Sequence, residues 1–338
     1  MENKEYPNRR KALLSVLAGI PACLSPVASW GQTRNTGSSV YPVKPIRLIV
    51  PFAAGGGTDI LARMLASAMS SRLEQNIVVE NVTGAGGTIG ANQVVRSPAD
   101  GYMLMIGTPS TIHINPAMQS NLRYNAETDF IPVSQFSDSP VVLIVNKDLP
   151  FNSVQDLIAA CKAKPGSINF GSAGQGSIEH LSSELFNRLA QVKMTHVPYR
   201  GTAQSLVDLR SGAIQVLVEN LPPVLQLIQT NSVKALGMGS LQRSSFLPDL
   251  PTIAESGVPG YESTSWTGLF APAATPAAII DKLQRAAIES ARDPSVIKAA
   301  RGLGAETVGS KSDEFRTFLA RRRLAINELV KSSGMTLN

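Results

Sequence analysis

A chain of 338 residues, 43% hydrophobic and 17% charged, is long enough for two ordinary cores and too apolar to stay disordered. Its formal net charge of +6 is mild, and outside the N-terminus its only dense basic run is Arg321-Arg322-Arg323, so nucleic acid is not an expected partner. After the first thirty residues no apolar run is long enough to span a bilayer.

The chain begins with Lys4, Arg9, Arg10 and Lys11, followed by an uncharged stretch from Ala12 to Trp30 with small residues near its end. This order predicts a signal peptide over residues 1–31 and export by the Sec route. The Arg9-Arg10 pair is a weak twin-arginine signal. Ile20-Pro21-Ala22-Cys23 only faintly resembles a lipoprotein processing site, and no lipid anchor at Cys23 is expected. Removing four basic and two acidic groups takes the charge from +6 to +4. Cys161 then stands alone, which excludes an internal disulfide or a cysteine metal site.

Residues 32–41 read as a flexible lead-in. Ile46 to Phe52 is a β-rich run that ends in Ala-Ala-Gly-Gly-Gly, and Ile60, Leu61, Met64, Leu65 and Ala68 then share one helical face. The unit repeats with a strand at Asn76 to Val82, a turn at Gly84 to Gly87 and a helix opening at Thr88, before a third strand at Tyr102 to Gly107. A second series starts at Val141 to Asn146. It alternates helices at Val154 to Cys161, Ile178 to Leu189 and Ala203 to Leu209 with strands at Ile168 to Phe170, Met194 to Pro198 and Ile214 to Val218. Val233 to Met238 and Trp266 to Pro272 are further strands, and amphipathic helices follow from Pro276 and Asp313. The expected fold is therefore α/β and two-lobed, with mostly parallel sheets. The last helices return to the first lobe, so the chain crosses twice at a hinge: residues 42–140 and 267–338 form lobe 1, and 141–266 form lobe 2.

Three glycine-rich turns enter helices: Gly55-Gly56-Gly57-Thr58-Asp59, Gly84-Ala85-Gly86-Gly87-Thr88 and Gly171-Ser172-Ala173-Gly174-Gln175-Gly176-Ser177. Backbone N–H groups at the positive end of a helix dipole favour anions, and Thr58, Thr88, Ser172 and Ser177 can add hydroxyl bonds. Gly56, Gly57, Gly86, Gly87, Ala173, Gly174, Gln175 and Thr108 complete the candidate contacts of an anion cleft between the lobes. The dinucleotide fingerprint fails, because Ile89 stands where its third glycine belongs. No Walker pair and no Gly-x-Ser-x-Gly elbow is present, so no catalytic residue and no cofactor is expected. His113, His180 and His196 are not in metal spacing, and Asp59 reads as a dipole partner of its helix. Glu219-Asn220 either faces the cleft or caps a turn before Pro222-Pro223. Arg200 either meets a distal carboxylate or pairs on the surface.

The segments Tyr41 to Asp59, Gly171 to Ser177 with His180-Leu181, Val197-Pro-Tyr-Arg-Gly201, Glu219-Asn-Leu-Pro222 and Gly260 to Pro272 together resemble the Bug-type substrate-binding proteins of tripartite tricarboxylate transporters, across residues 41–338. The resemblance implies a periplasmic Venus-flytrap fold that binds di- or tricarboxylates, amino acids or aromatic acids, as a monomer. It implies that Phe52 and Ala53 to Thr58 hold one carboxylate, while Ser172 to Ser177 and Glu219 meet the other end of the ligand. Two departures stand out: Glu219 where the family usually carries Asp, and Ala53-Ala54 where prolines are common. The implied partners are membrane subunits of a transporter; the competing reading is a sensor that engages a signalling kinase.

Overall fold

A computed structural model describes residues 41–333. The expected leader, nearly all of the lead-in and Cys23 lie outside the described residues. The first units are β1 (Ile46–Val50), α1 (Gly57–Leu73), β2 (Ile77–Asn81), α2 (Thr88–Val95) and β3 (Met103–Gly107), with β1 parallel to both β2 and β3. A π-turn over Ser110–Ile114 leads into the short α3 (Asn115–Met118). The periodicity of α1 does its packing: Leu61, Leu65 and Met69 are buried at four-residue spacing, and the helix stops at Glu74, which takes the left-handed conformation.

The strand expected to start at Val141 is the end of a 17-residue strand, β4 (Phe130–Asn146). Then come α4 (Val154–Ala163), β5 (Asn169–Ser172), α5 (Ile178–Leu189), β6 (Thr195–Pro198), α6 (Thr202–Ser211), β7 (Val216–Asn220), α7 (Leu225–Gln229) and β8 (Val233–Met238). The chain closes with β9 (Thr264–Pro272), α8 (Ala277–Ala291), α9 (Pro294–Gly302), β10 (Glu306–Thr307) and α10 (Ser312–Ser333). Local chemistry sets the starts: Ser153 accepts from Asp156 N–H to open α4, and Asp293 accepts from Ser295 N–H with Pro294 following to open α9. That break makes α9 a helix of its own, between the two expected from Pro276 and from Asp313.

The strands run in the order β2-β1-β3-β9-β4-β7-β5-β6, with β8 and β10 also on β4. Phe130 to Pro140 of β4 pairs antiparallel with β9, and Val141 to Val145 pairs with β7. The two lobes therefore meet within one strand. Ile46, Leu48, Leu61, Phe136 and Leu283 share one core, and Val141, Leu143, Phe170, Phe186 and Tyr261 share the other. Cys161 is buried in the second core. Helix α10 begins on the first lobe, where Phe315 packs edge-on to Trp266, and ends with Val330 against Ile178 and Leu181 of α5. No helix among the described residues is long and apolar enough to cross a membrane.

Candidate functional site

The first glycine turn is braced from behind. Asp59 accepts from Gly55 N–H at 2.9 Å, Asn81 Nδ2 at 2.9 Å and Arg63 Nε at 3.0 Å. Burial opposes its ionisation, but the hydrogen bonds from Arg63, Gly55 and Asn81 outweigh this and hold its pKa below the ordinary value. Asp59 thus serves the turn, which leaves the N–H groups of Gly57 and Thr58, without intrahelical acceptors, at the start of α1.

The second turn has a backbone that L-residues resist: Gly86 has φ of +62°. Its carbonyl accepts from Asn115 Nδ2 at 2.9 Å. A Cβ at Gly86 would lie 2.4 Å from the carbonyl oxygen of Gln175, on the third turn. The two turns thus touch across the cleft, and the lobes are closed on one another. Ile178 N–H bonds Ser110 Oγ at 3.0 Å across the same boundary.

The third turn is folded on itself. Ser172 Oγ receives Gly174 N–H at 3.1 Å and bonds His196 Nε2 at 2.6 Å, while Ser177 caps α5 by accepting from His180 N–H. His196 stacks between Phe170 and His180, with ring centroids 4.9 Å and 4.2 Å away. Burial pushes both imidazoles down to about 4, so they are neutral packing groups at neutral pH. His113 is buried elsewhere, against Leu319 O and Trp266.

Between the lobes lies a cavity of about 20 Å³, lined by Phe52, Ala53, Gly56, Gly57, Thr58, Thr108, Ser110, Ala173, Ile178, Glu179, Thr202, Asn220 and Ser265. That is room for about one water molecule. The N-termini of α1, α5 and α6 all reach it, through Gly57, Ile178 and Thr202. Among the described residues no Lys, Arg or His lines it. Three buried polar atoms of its lining residues have no protein partner among the described residues: Thr108 Oγ1, Glu179 Oε2 and Asn220 Oδ1.

Of the residues singled out in the sequence, Phe52, Ala53, Gly56, Gly57, Thr58, Thr108, Ala173 and Asn220 line this cavity. Gly55, Gly86, Gly87, Thr88, Ser172, Gly174, Gln175 and Ser177 shape the turns around it without lining it. Arg200 is exposed and does not line it. Glu219 is buried behind Asn220, whose N–H it accepts at 2.9 Å. The acid at the wall is Glu179, which the sequence reading did not single out, along with Ser110, Thr202 and Ser265. Glu179 is the second residue of α5. Its position in the first turn of a helix next to a glycine turn was the available signal, though such acids commonly serve the dipole alone.

Asn220 Nδ2 donates to Glu179 Oε1 at 2.9 Å and to Glu219 Oε1 at 3.2 Å, which holds the two carboxyl groups side by side. Burial raises the pKa of both. Glu219 is raised further because Glu179 lies beside it. Glu219 is therefore the harder of the two to ionise.

Two α/β lobes sharing a strand, closed over helix N-termini and unpaired polar atoms, define a solute-binding protein of the periplasmic type. The chain belongs to the family described as Tripartite tricarboxylate transporter family receptor, whose model matches residues 61–335. It is 35% identical over 312 residues to Protein BugT of Bordetella pertussis, covering 92% of this chain and 96% of that one. Among solved structures it is similar to R. palustris Rpa4515 with adipate, with a TM-score of 0.85 at 35% identity, covering 88% of this chain and 99% of that one. It is also similar to MatC from Rhodopseudomonas palustris with bound malate, with a TM-score of 0.83 at 31% identity, covering 86% and 100%. The family is one of periplasmic solute-binding proteins.

Proposed function

We propose that this chain captures a small carboxylate-bearing solute between its lobes and presents the closed form to the membrane subunits of a tripartite tricarboxylate-type transporter. The observation that carries this reading is the convergence of the α1, α5 and α6 N-termini on one cavity that no cationic side chain among the described residues lines. An anion there is held by main-chain N–H groups and hydroxyls, chiefly those of Gly57, Thr58 and Thr108. The acids bound by Rpa4515 and MatC support the ligand class. In this reading the leader over residues 1–31 directs export to the periplasm, and the protein works as a monomer. The hinge runs through β4 near Pro140 and through the start of β9 near Thr264, where the paired segments change from one lobe to the other.

The test is a thermal-shift and calorimetric screen of mono-, di- and tricarboxylates and amino acids, with neutral sugars as controls. A ligand at a hundred times its Kd stabilises the folded form by about 2.7 kcal/mol, which is readily seen. The expected result is saturable, one-to-one binding of at least one carboxylate class. Binding of no carboxylate, or of sugars alone, would overturn the reading.

A further inference from the structure

We infer that the solute carries an ammonium group as well as a carboxylate, and that Glu179 and Asn220 receive that ammonium. This rests on the cavity, widened beyond its one-water volume as the lobes part, being the ligand site, as proposed above. The two walls of the cavity differ: the second-lobe wall carries the N-termini of α5 and α6 but adds carboxylate and amide acceptors that the first-lobe wall lacks. The first-lobe wall presents donors, the N–H groups of Gly57 and Thr58 at the start of α1. The second-lobe wall presents acceptors: Glu179 Oε2 and Asn220 Oδ1 are unpartnered, on side chains of residues only 4% and 8% exposed.

The orientation of Asn220 is fixed by its neighbours. Its Nδ2 is committed to Glu179 and Glu219, so its oxygen is the atom left over. Glu219 is in turn held by Asn220 N–H at 2.9 Å. Glu179 Oε2 therefore remains as an acceptor that no protein group among the described residues occupies. No Lys, Arg or His among the described residues lines the cavity to meet these acceptors. On α5, His180 is turned into its stack with Phe170 and His196; on α1, Arg63 is bonded to Asp59; α6 offers Thr202, and β9 offers Ser265. A second carboxylate brought to this wall would set acceptor against acceptor, whereas an ammonium supplies a charge and three donors. This preference differs from what the adipate and malate complexes of the relatives would suggest.

The test is calorimetry on wild-type protein with matched series of acids: α- and ω-amino acids, the hydroxy acid and the unsubstituted acid of each carbon skeleton, and adipate and malate. The expected result is that an amino acid binds at least tenfold more tightly than its hydroxy and unsubstituted partners. Glu179→Gln should lose roughly tenfold to hundredfold in affinity for that amino acid and should narrow the gap to its unsubstituted partner. Glu219→Gln should keep the preference, because residue 219 does not line the cavity. If dicarboxylates bind and amino acids do not, or if the hydroxy acid matches the amino acid, the inference is overturned while the carboxylate-binding function stands. If no acid of any series binds, the function itself falls. The comparison of wild-type affinities decides the matter even if the Glu179 variant does not fold.

Discussion

Ile178 N–H, in the first turn of α5, donates to Ser110 Oγ of the other lobe at 3.0 Å, and both residues are buried. The bond ties the helix N-terminus nearest Glu179 to the loop that follows β3. Opening the lobes must break it. Ser110→Ala leaves this N–H without its acceptor when the lobes close, which costs about 1–3 kcal/mol. Ligand affinity should fall by about tenfold or more, with little change in the unfolding midpoint of the free protein at the same pH. Calorimetry paired with thermal unfolding checks this, and unchanged affinity would mean that the bond does not contribute to closure.

Gly86 makes a related contact through its backbone. A Cβ there meets the Gln175 carbonyl and also forces an L-residue into the left-handed region, at a cost of about 1–2 kcal/mol. Gly86→Ala should bind at least tenfold more weakly and should keep a larger radius of gyration than wild type at saturating ligand, measured by small-angle scattering. A variant that closes like wild type would show that the turn has room to yield.

The Glu179–Glu219 pair predicts a pH signature. Burial and its neighbour raise the Glu219 pKa in the folded protein, so the folded form binds more protons than the unfolded chain above the ordinary carboxyl pKa. The stability this group contributes is present below about pH 4.5, and it is lost as pH rises through the folded-state value. Glu219→Gln should therefore gain on wild type as pH rises, with an unfolding midpoint about 2 °C or more above it at pH 8. Scanning calorimetry from pH 4.5 to 8.5 reads this directly, and a difference independent of pH would contradict it.

The histidines carry the opposite sign. His113, His180 and His196 are each pushed down to about 4 by burial, and they are the chain's three histidines. The stability they contribute is present above pH 6.5 and is lost as pH falls towards 4, because the unfolded chain takes up protons first. Histidine ring resonances should show no titration between pH 6 and 8, with midpoints near 4. A midpoint near 6.5 for His180 or His196 would mean that the stack behind the third turn is open to water.

Much of this architecture can be read from the sequence because strand, glycine turn and helix recur with clear periodicity. Ile46 to Val50 and Ile77 to Asn81 need only their own β-rich composition to be found. The front half of β4 is not legible, since Pro132, Ser134, Gln135 and Ser137 read as a loop. They hold a strand because tertiary partners satisfy them: Ser134 Oγ donates to Ser310 O at 2.8 Å, and Ser137 Oγ bonds Thr267 Oγ1 at 2.7 Å. The site divides in the same way. The donor wall follows from glycine spacing at Gly55 to Thr58, which is local. The acceptor wall requires Glu179 and Asn220 to meet across 41 residues of chain, and no local pattern announces that.

The most direct test of the central claim is a crystal structure of the protein with its tightest-binding acid. The acid's carboxylate should lie between the lobes, within hydrogen-bond distance of Gly57 N–H, Thr58 N–H and Thr108 Oγ1, with no Lys or Arg side chain touching it. A ligand seated instead in the separate cavity beside Trp266 and Arg322, or a carboxylate paired with Arg200, would contradict it.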